Sequence, residues 1–143
     1  MHASGVLSTS DLAGNPHGAV VYFALHDDFT LTFATKTETQ KYKNIEENSS
    51  VAFVVYHEKD QTSVQIFGQA KLITDPEERH EVLAYMYNTS PKLSLAMLPP
   101  AEKLDAGDYV AIRLKPQVIK MAIYSRYDED RDDLFEIITL SEP

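Results

Sequence analysis

The chain has 143 residues, 22 of them acidic against 13 lysines and arginines, giving a formal net charge of −9, and it contains no cysteine. That length fits one domain whose core needs no covalent staples, and the missing thiols exclude disulfides, thiolate catalysis and cysteine-held zinc or iron–sulfur sites. The acidity argues against nucleic acid or an anionic membrane as the main partner, since both want a basic face, and no apolar run approaches a membrane span.

Residues 5–9, "GVLST", read as a short strand, and "DLAGNP" (11–16) as a chain reversal. "HGAVVYFAL" (17–25) is an almost unbroken apolar run, the pattern of a strand buried on both faces. After a turn at "HDDF", "TLTFAT" (30–35) alternates as a half-buried strand does. "VAFVVYH" (51–57) and "TSVQIFGQAKLIT" (62–74) form a long hairpin, in which Gly68 marks a bulge or a close backbone approach. "DPEERHEVLAYMYN" (75–88) is a helix with Asp75 as N-cap, Pro76 at its first position, and Val82, Leu83, Tyr85 and Met86 as its apolar face. "SPKLSLAMLPP" (90–100) reads as a short helix closed by prolines, "DYVAIRLKP" (108–116), "QVIKMAIYS" (117–125) and "LFEIITL" (134–140) as three strands, and "YDEDRDD" (127–133) as a solvated acidic turn rather than a metal site. Many antiparallel strands with a few inserted helices predict a mainly β fold, a closed or nearly closed barrel. No cysteine and no secretory leader pattern make a cytoplasmic setting the expectation.

The most informative stretch is "FATKTETQKYKNIEENSSVAF" (33–53). Thr37-Glu38-Thr39-Gln40 matches a capping box, and a helix follows from about Thr39 to Asn48, with Tyr42 and Ile45 turned inward. Its first turn presents unpaired N–H groups and the positive end of the helix dipole, a place that favours phosphate. Thr35, Thr37 and Thr39 can add hydroxyl donors, and Lys36 and Lys41 can add charge. Spacing alone favours the plainer reading of a threonine-capped helix, because such N-termini are common and phosphate sites on them are not. His17 reads first as a strand-end histidine, and His2, His26, His57 and His80 have no metal-ligand spacing. Tyr56, Tyr85, Tyr87, Tyr124 and Tyr127 read as core or interface residues.

In order, "LSTSDLAGNPHGAVVYF", "LTFATKTETQKYKNIEENSSVAFVVY" and "VQIFGQAKLITDPEE" resemble the pyridoxamine 5′-phosphate oxidase-like family of FMN-binding split barrels. The likeness spans residues 5–80: a turn of the form dG.Ph, an apolar strand, a strand ending in aromatic-x-Thr, a helix with S/T-x-K and NI, and a V.G.A strand. It implies a split β-barrel that forms a homodimer with FMN in the groove between subunits. Carried over position by position, it puts Thr35, Thr39, Gln40 and Lys41 near the flavin phosphate and ribityl chain, with Lys36 as a further cation. Ala19, Val20 and Val21 would offer backbone groups to the ring edge. Ala34 stands where an aromatic is frequent, and Ser63 where a polar residue approaches the ring.

Departures from the family pattern are as informative. Gln40 replaces an arginine, which trades a bidentate phosphate fork for a neutral amide. Ala19 and Ala24 stand where true pyridoxamine phosphate oxidases have a basic residue and a substrate-binding lysine, and the sequence ends "LSEP" instead of Arg-Leu-Ala-Pro. Family members often carry a helix before the first strand, which here starts close to Met1. These differences argue against pyridoxamine phosphate oxidation. They imply the smaller, general-stress-type branch, with FMN passing electrons from a reduced nicotinamide-type donor to a small acceptor. The alternative is a non-catalytic protein that binds flavin, haem or another planar ligand.

Overall fold

A computed structural model describes residues 3–89, 109–124 and 135–140. Eight strands form one antiparallel sheet: β1 (Ser4–Ser10), β2 (Pro16–Tyr22), β3 (Ala24–Leu25), β4 (Leu31–Lys36), β5 (Ser50–His57), β6 (Thr62–Leu72), β7 (Tyr109–Ile123) and β8 (Phe135–Thr139). Among the described residues two helices, α1 (Gln40–Glu47) and α2 (Pro76–Thr89), follow β4 and β6. The sheet order is β2-β1-β5-β6-β7-β4-β3. The far half of β7 pairs with β8. The sheet curls until β2 approaches β4, and α1 packs against β1 and β2 at one mouth of this half-barrel.

Alternation decides what lies inside. On β1, Gly5, Leu7 and Thr9 are buried while their neighbours face out. Leu7, Leu31, Phe33, Phe53, Ile66, Ile112 and Leu114 fill the interior of the curl. On the other side of β4 and β7, α2 lays Val82, Leu83 and Met86 against Ile73 and Ala111. Tyr85, read as part of that apolar face, is half exposed instead. Asp75 caps α2 as its sequence predicts, its carboxylate accepting the Glu78 N–H at 2.9 Å.

Three expectations need correction. The run 17–25 is not one strand buried on both faces. It is an edge strand that breaks at Phe23, whose ring turns inward edge-on to Phe53 with centroids 5.0 Å apart. Within β2 only Val21 is buried, and Val20 is 68% exposed. The strands read at 108–116 and 117–125 are one continuous β7. Pro116 survives inside it because the register shifts there: Phe67 faces Val118 and Gly68 faces Pro116, so Gln117 is the extra residue of a bulge. Gly68 serves both roles its sequence offered, since a Cβ at this position would run into the Lys115 carbonyl. Lastly, the N-cap of α1 is Thr39, not Thr37; its hydroxyl accepts the Tyr42 N–H at 3.4 Å. The helix read at 90–100, the acidic turn at 127–133, His2 and Tyr127 lie outside the described residues.

Candidate functional site

The turn from β4 into α1 gathers four of the predicted residues. Thr35, the last inward-facing residue of β4, is buried, and its hydroxyl lies 3.0 Å from that of Thr39. Thr39 donates its proton to the Lys36 carbonyl at 2.8 Å. The Thr35 hydroxyl is therefore the donor between the two, and both protons are spent within the turn. Gln40 is engaged as well: its side-chain amide donates to Asn44 Oδ1 at 2.8 Å, and the Asn44 side-chain amide donates to the Thr9 hydroxyl at 3.0 Å. Asn44 is fully buried, and this relay fastens α1 to the end of β1. Asn48 to Ser10 at 3.1 Å reinforces the attachment.

What remains available to a ligand at this mouth is narrow and positive. No backbone acceptor among the described residues takes the N–H of Gln40 or Lys41, the groups that open α1. Lys41 is half-buried and has no ion-pair or hydrogen-bond partner among the described residues. Its desolvation holds the ammonium below the usual lysine range. Lys36 points elsewhere: its ammonium sits 3.8 Å from Glu38 and 5.3 Å from the centre of the Tyr109 ring.

The other predicted residues are spread around this cluster. Alternation along β4 turns Ala34 to the opposite face from Thr35, against the α2 cluster. On β2, the Phe23 N–H bonds the Ala3 carbonyl at 3.1 Å, which fixes the ladder phase. Ala19 and Val21 then spend their backbone groups on β1, and Val20 alone of the three turns its N–H and C=O to the free edge. Ser63 lies on β6 opposite Ala122, whereas Thr35 lies opposite Val110, so they occupy opposite ends of β7. The Ser63 hydroxyl is buried and has no hydrogen-bond partner among the described residues. One chain therefore does not bring Ser63 to the β4–α1 mouth. His17 faces inward opposite Thr9, and its buried Nδ1 has no hydrogen-bond partner among the described residues.

Asn44 was not singled out by the sequence. The available signal was its i+4 spacing from Gln40 beside the inward Ile45. That spacing says nothing about Thr9, thirty-five residues away.

Comparison with known proteins sets this geometry in context. The sequence model of the pyridoxamine 5′-phosphate oxidase family matches residues 1–122. A comparison with curated proteins returns no match. Among solved structures, general stress protein 26 of Bacillus anthracis is similar, with 26% identity, TM-score 0.66, and coverage of 98% of this chain and 91% of that one. A pyridoxamine 5′-phosphate oxidase-related, FMN-binding protein of Nostoc punctiforme shares the fold, with 16% identity, TM-score 0.71, and coverage of 98% and 88%. An F420 reductase matches with 25% identity, TM-score 0.61, and coverage of 82% and 88%.

Proposed function

Because the chain belongs to the pyridoxamine 5′-phosphate oxidase family of split barrels, we propose that it is an FMN-binding oxidoreductase that passes electrons from a reduced nicotinamide-type donor to a small acceptor. The observation that carries this reading is Lys41, a half-buried cation with no counter-ion among the described residues, at the opening turn of α1. A desolvated, unpaired charge is a cost to the fold that an arriving anion offsets.

The residues present fit a phosphate, with a smaller donor set than the family pattern has. Lys41 and two open N–H groups would hold it. Thr35 and Thr39 would contribute only by turning their hydroxyls outward. Val20, on the free edge of β2, would offer its backbone to the ring. Bound FMN would supply hydride or single-electron transfer, and the protein position and electrostatics.

A second copy would supply the other wall. Two features support a homodimer. The outward row Val20, Val6, Val54, Gln65, Lys120, Ile137 crosses the sheet, and Val6, Val20 and Ile137 in it are exposed. Ser63, whose hydroxyl has no hydrogen-bond partner among the described residues, lies on the same face as Gln65, and in the proposed dimer it would be the polar group offered to the ring. A membrane setting gains no support, since no helix among the described residues is long and apolar enough to cross one. A reducing cytoplasm suits the cysteine-free chain, and we propose it as the setting.

FMN titration followed by flavin fluorescence tests the assignment. Lys41→Ala is expected to weaken FMN by about ten- to a hundredfold, the worth of one charge-assisted contact, and riboflavin hardly at all. Equal losses for both would remove Lys41 from the phosphate. Bleaching of bound flavin by NADH or NADPH without oxygen would support the oxidoreductase, and an inert flavin the storage or sensing alternative.

A further inference from the structure

A sizeable cavity among the described residues lies away from the β4–α1 mouth. It has a volume of about 800 Å³ and opens between the β3–β4 hairpin and α2. We propose that this cavity binds a small organic cation, an ammonium or guanidinium carried on an apolar body.

The volume is in the range of small-molecule sites. Leu25, Val82 and Tyr85 give the walls apolar surface, and the charges in the lining are four carboxylates, Asp27, Asp28, Glu78 and Glu81, against one guanidinium, Arg113. That guanidinium is already paired with Glu78. The buried floor is satisfied too: the Thr30 hydroxyl donates to Asp28 at 2.6 Å, and Thr32 bonds His26 at 2.9 Å. An anion entering here meets four carboxylates and a single guanidinium whose charge Glu78 already offsets. A cation meets Asp27 and Glu81, neither of which has a partner among the described residues. The Tyr85 ring adds a face of the kind cations favour.

The occupant is organic, not a metal ion. Among the described residues no three His, Asp or Glu side chains converge closely enough to ligate one. Concavity distinguishes these carboxylates from a solvated acidic surface. Leu25 and Val82 would cover the body of an amine while Asp27 and Glu81 hold its charge.

The test is an NMR titration of the full chain, without added flavin, with phenethylamine, 3-phenylpropan-1-ol and 3-phenylpropionate. The amine should give saturable shifts in the β3–β4 hairpin and the first half of α2. It should bind about tenfold more tightly than the alcohol, with no saturable shifts from the carboxylate. Asp27→Asn and Glu81→Gln, both at exposed positions where the fold tolerates change, should each weaken the amine several-fold. Equal affinity for amine and alcohol, unchanged affinity in both variants, or no saturation by roughly 10 mM would overturn the proposal. Because the titration reads shifts in flavin-free protein, its outcome is independent of whether FMN binds at α1.

Discussion

The two ends of β4 carry opposite chemistry. At its C-terminal end Thr35 and Lys36 run into α1, where hydroxyls and amides are locked to one another and Lys41 stands unpaired. At its N-terminal end Thr32 floors a cavity in whose lining Asp27 and Glu81 stand open on exposed chain. Among its described residues, a protein of net charge −9 thus keeps a half-buried cation free at one place and gathers anions at another. Net charge governs the distant field, solubility and association. A binding site is decided by the few side chains the fold leaves over: among the described residues the wiring at the positive end leaves Lys41, and at the negative end, with Asp28 and Glu78 engaged, it leaves Asp27 and Glu81.

The largest effect should come from cutting that wiring. Asn44→Ala removes both bonds of the relay and leaves the buried Thr9 hydroxyl without its donor. It is expected to cost about 2–3 kcal/mol, read as a fall in melting temperature of roughly 5–10 °C. Glu81→Ala at the other end should cost less than about 0.5 kcal/mol. Similar losses for the two would show that the contrast between a locked end and an open end is false.

The fold was legible where the determinants are local. Period-two burial, the Asp75 cap, the turn at 11–16 and the strand-to-helix handover all lie within a few residues of one another, and all are present. Apart from the α1 cap, where threonines two residues apart both fit the local pattern, the errors arose where distant partners decide. An apolar run such as "VVYF" looks the same whether both faces meet core or one is left outward, so Val20 was read as buried. Pro116 reads as a strand end until the bulge opposite Gly68 removes the need for its missing N–H. At the candidate site, the cations and hydroxyls could be named from sequence, but not their directions. Lys36 turns to Glu38 and Tyr109 through contacts no spacing rule discloses, and Gln40 turns to Asn44, a bond its i+4 spacing permits without showing that it prevails.

A tenfold effect is expected from restoring charge at the wired end. Gln40→Arg adds a guanidinium at the helix start at the expense of the Gln40–Asn44 bond. About 1.4 kcal/mol of added phosphate grip corresponds to FMN binding about tenfold tighter, with riboflavin unchanged. If FMN is indifferent to the substitution, or riboflavin tightens equally, position 40 does not face the phosphate, and the charge contrast between the ends of β4 has no bearing on the flavin.

The smallest effect concerns pH, and its sign distinguishes a cation awaiting an anion from an ordinary surface lysine. Burial lowers the Lys41 pKa below its ordinary 10.5. The unfolded chain, with an unperturbed lysine, therefore binds more protons than the folded one between the lowered value and 10.5. In that window the stability of the ligand-free protein rises with pH, because the charged form that the fold disfavours is being removed. Below the window the penalty is present in full. Lys41→Met abolishes it, so the variant should melt slightly higher than the parent at neutral pH, by at most about 2–3 °C, with the gap closing as pH approaches 10.5. FMN would act in the opposite direction: a phosphate beside the ammonium favours the charged form, so FMN affinity should fall as pH rises through the ligand-free pKa, and riboflavin affinity should not. Melting curves of the parent and Lys41→Met across this range, with and without FMN, supply both readings. A variant that melts lower at neutral pH would mean that Lys41 already has a stabilising partner, and the positive end of β4 would then hold no vacancy for an anion.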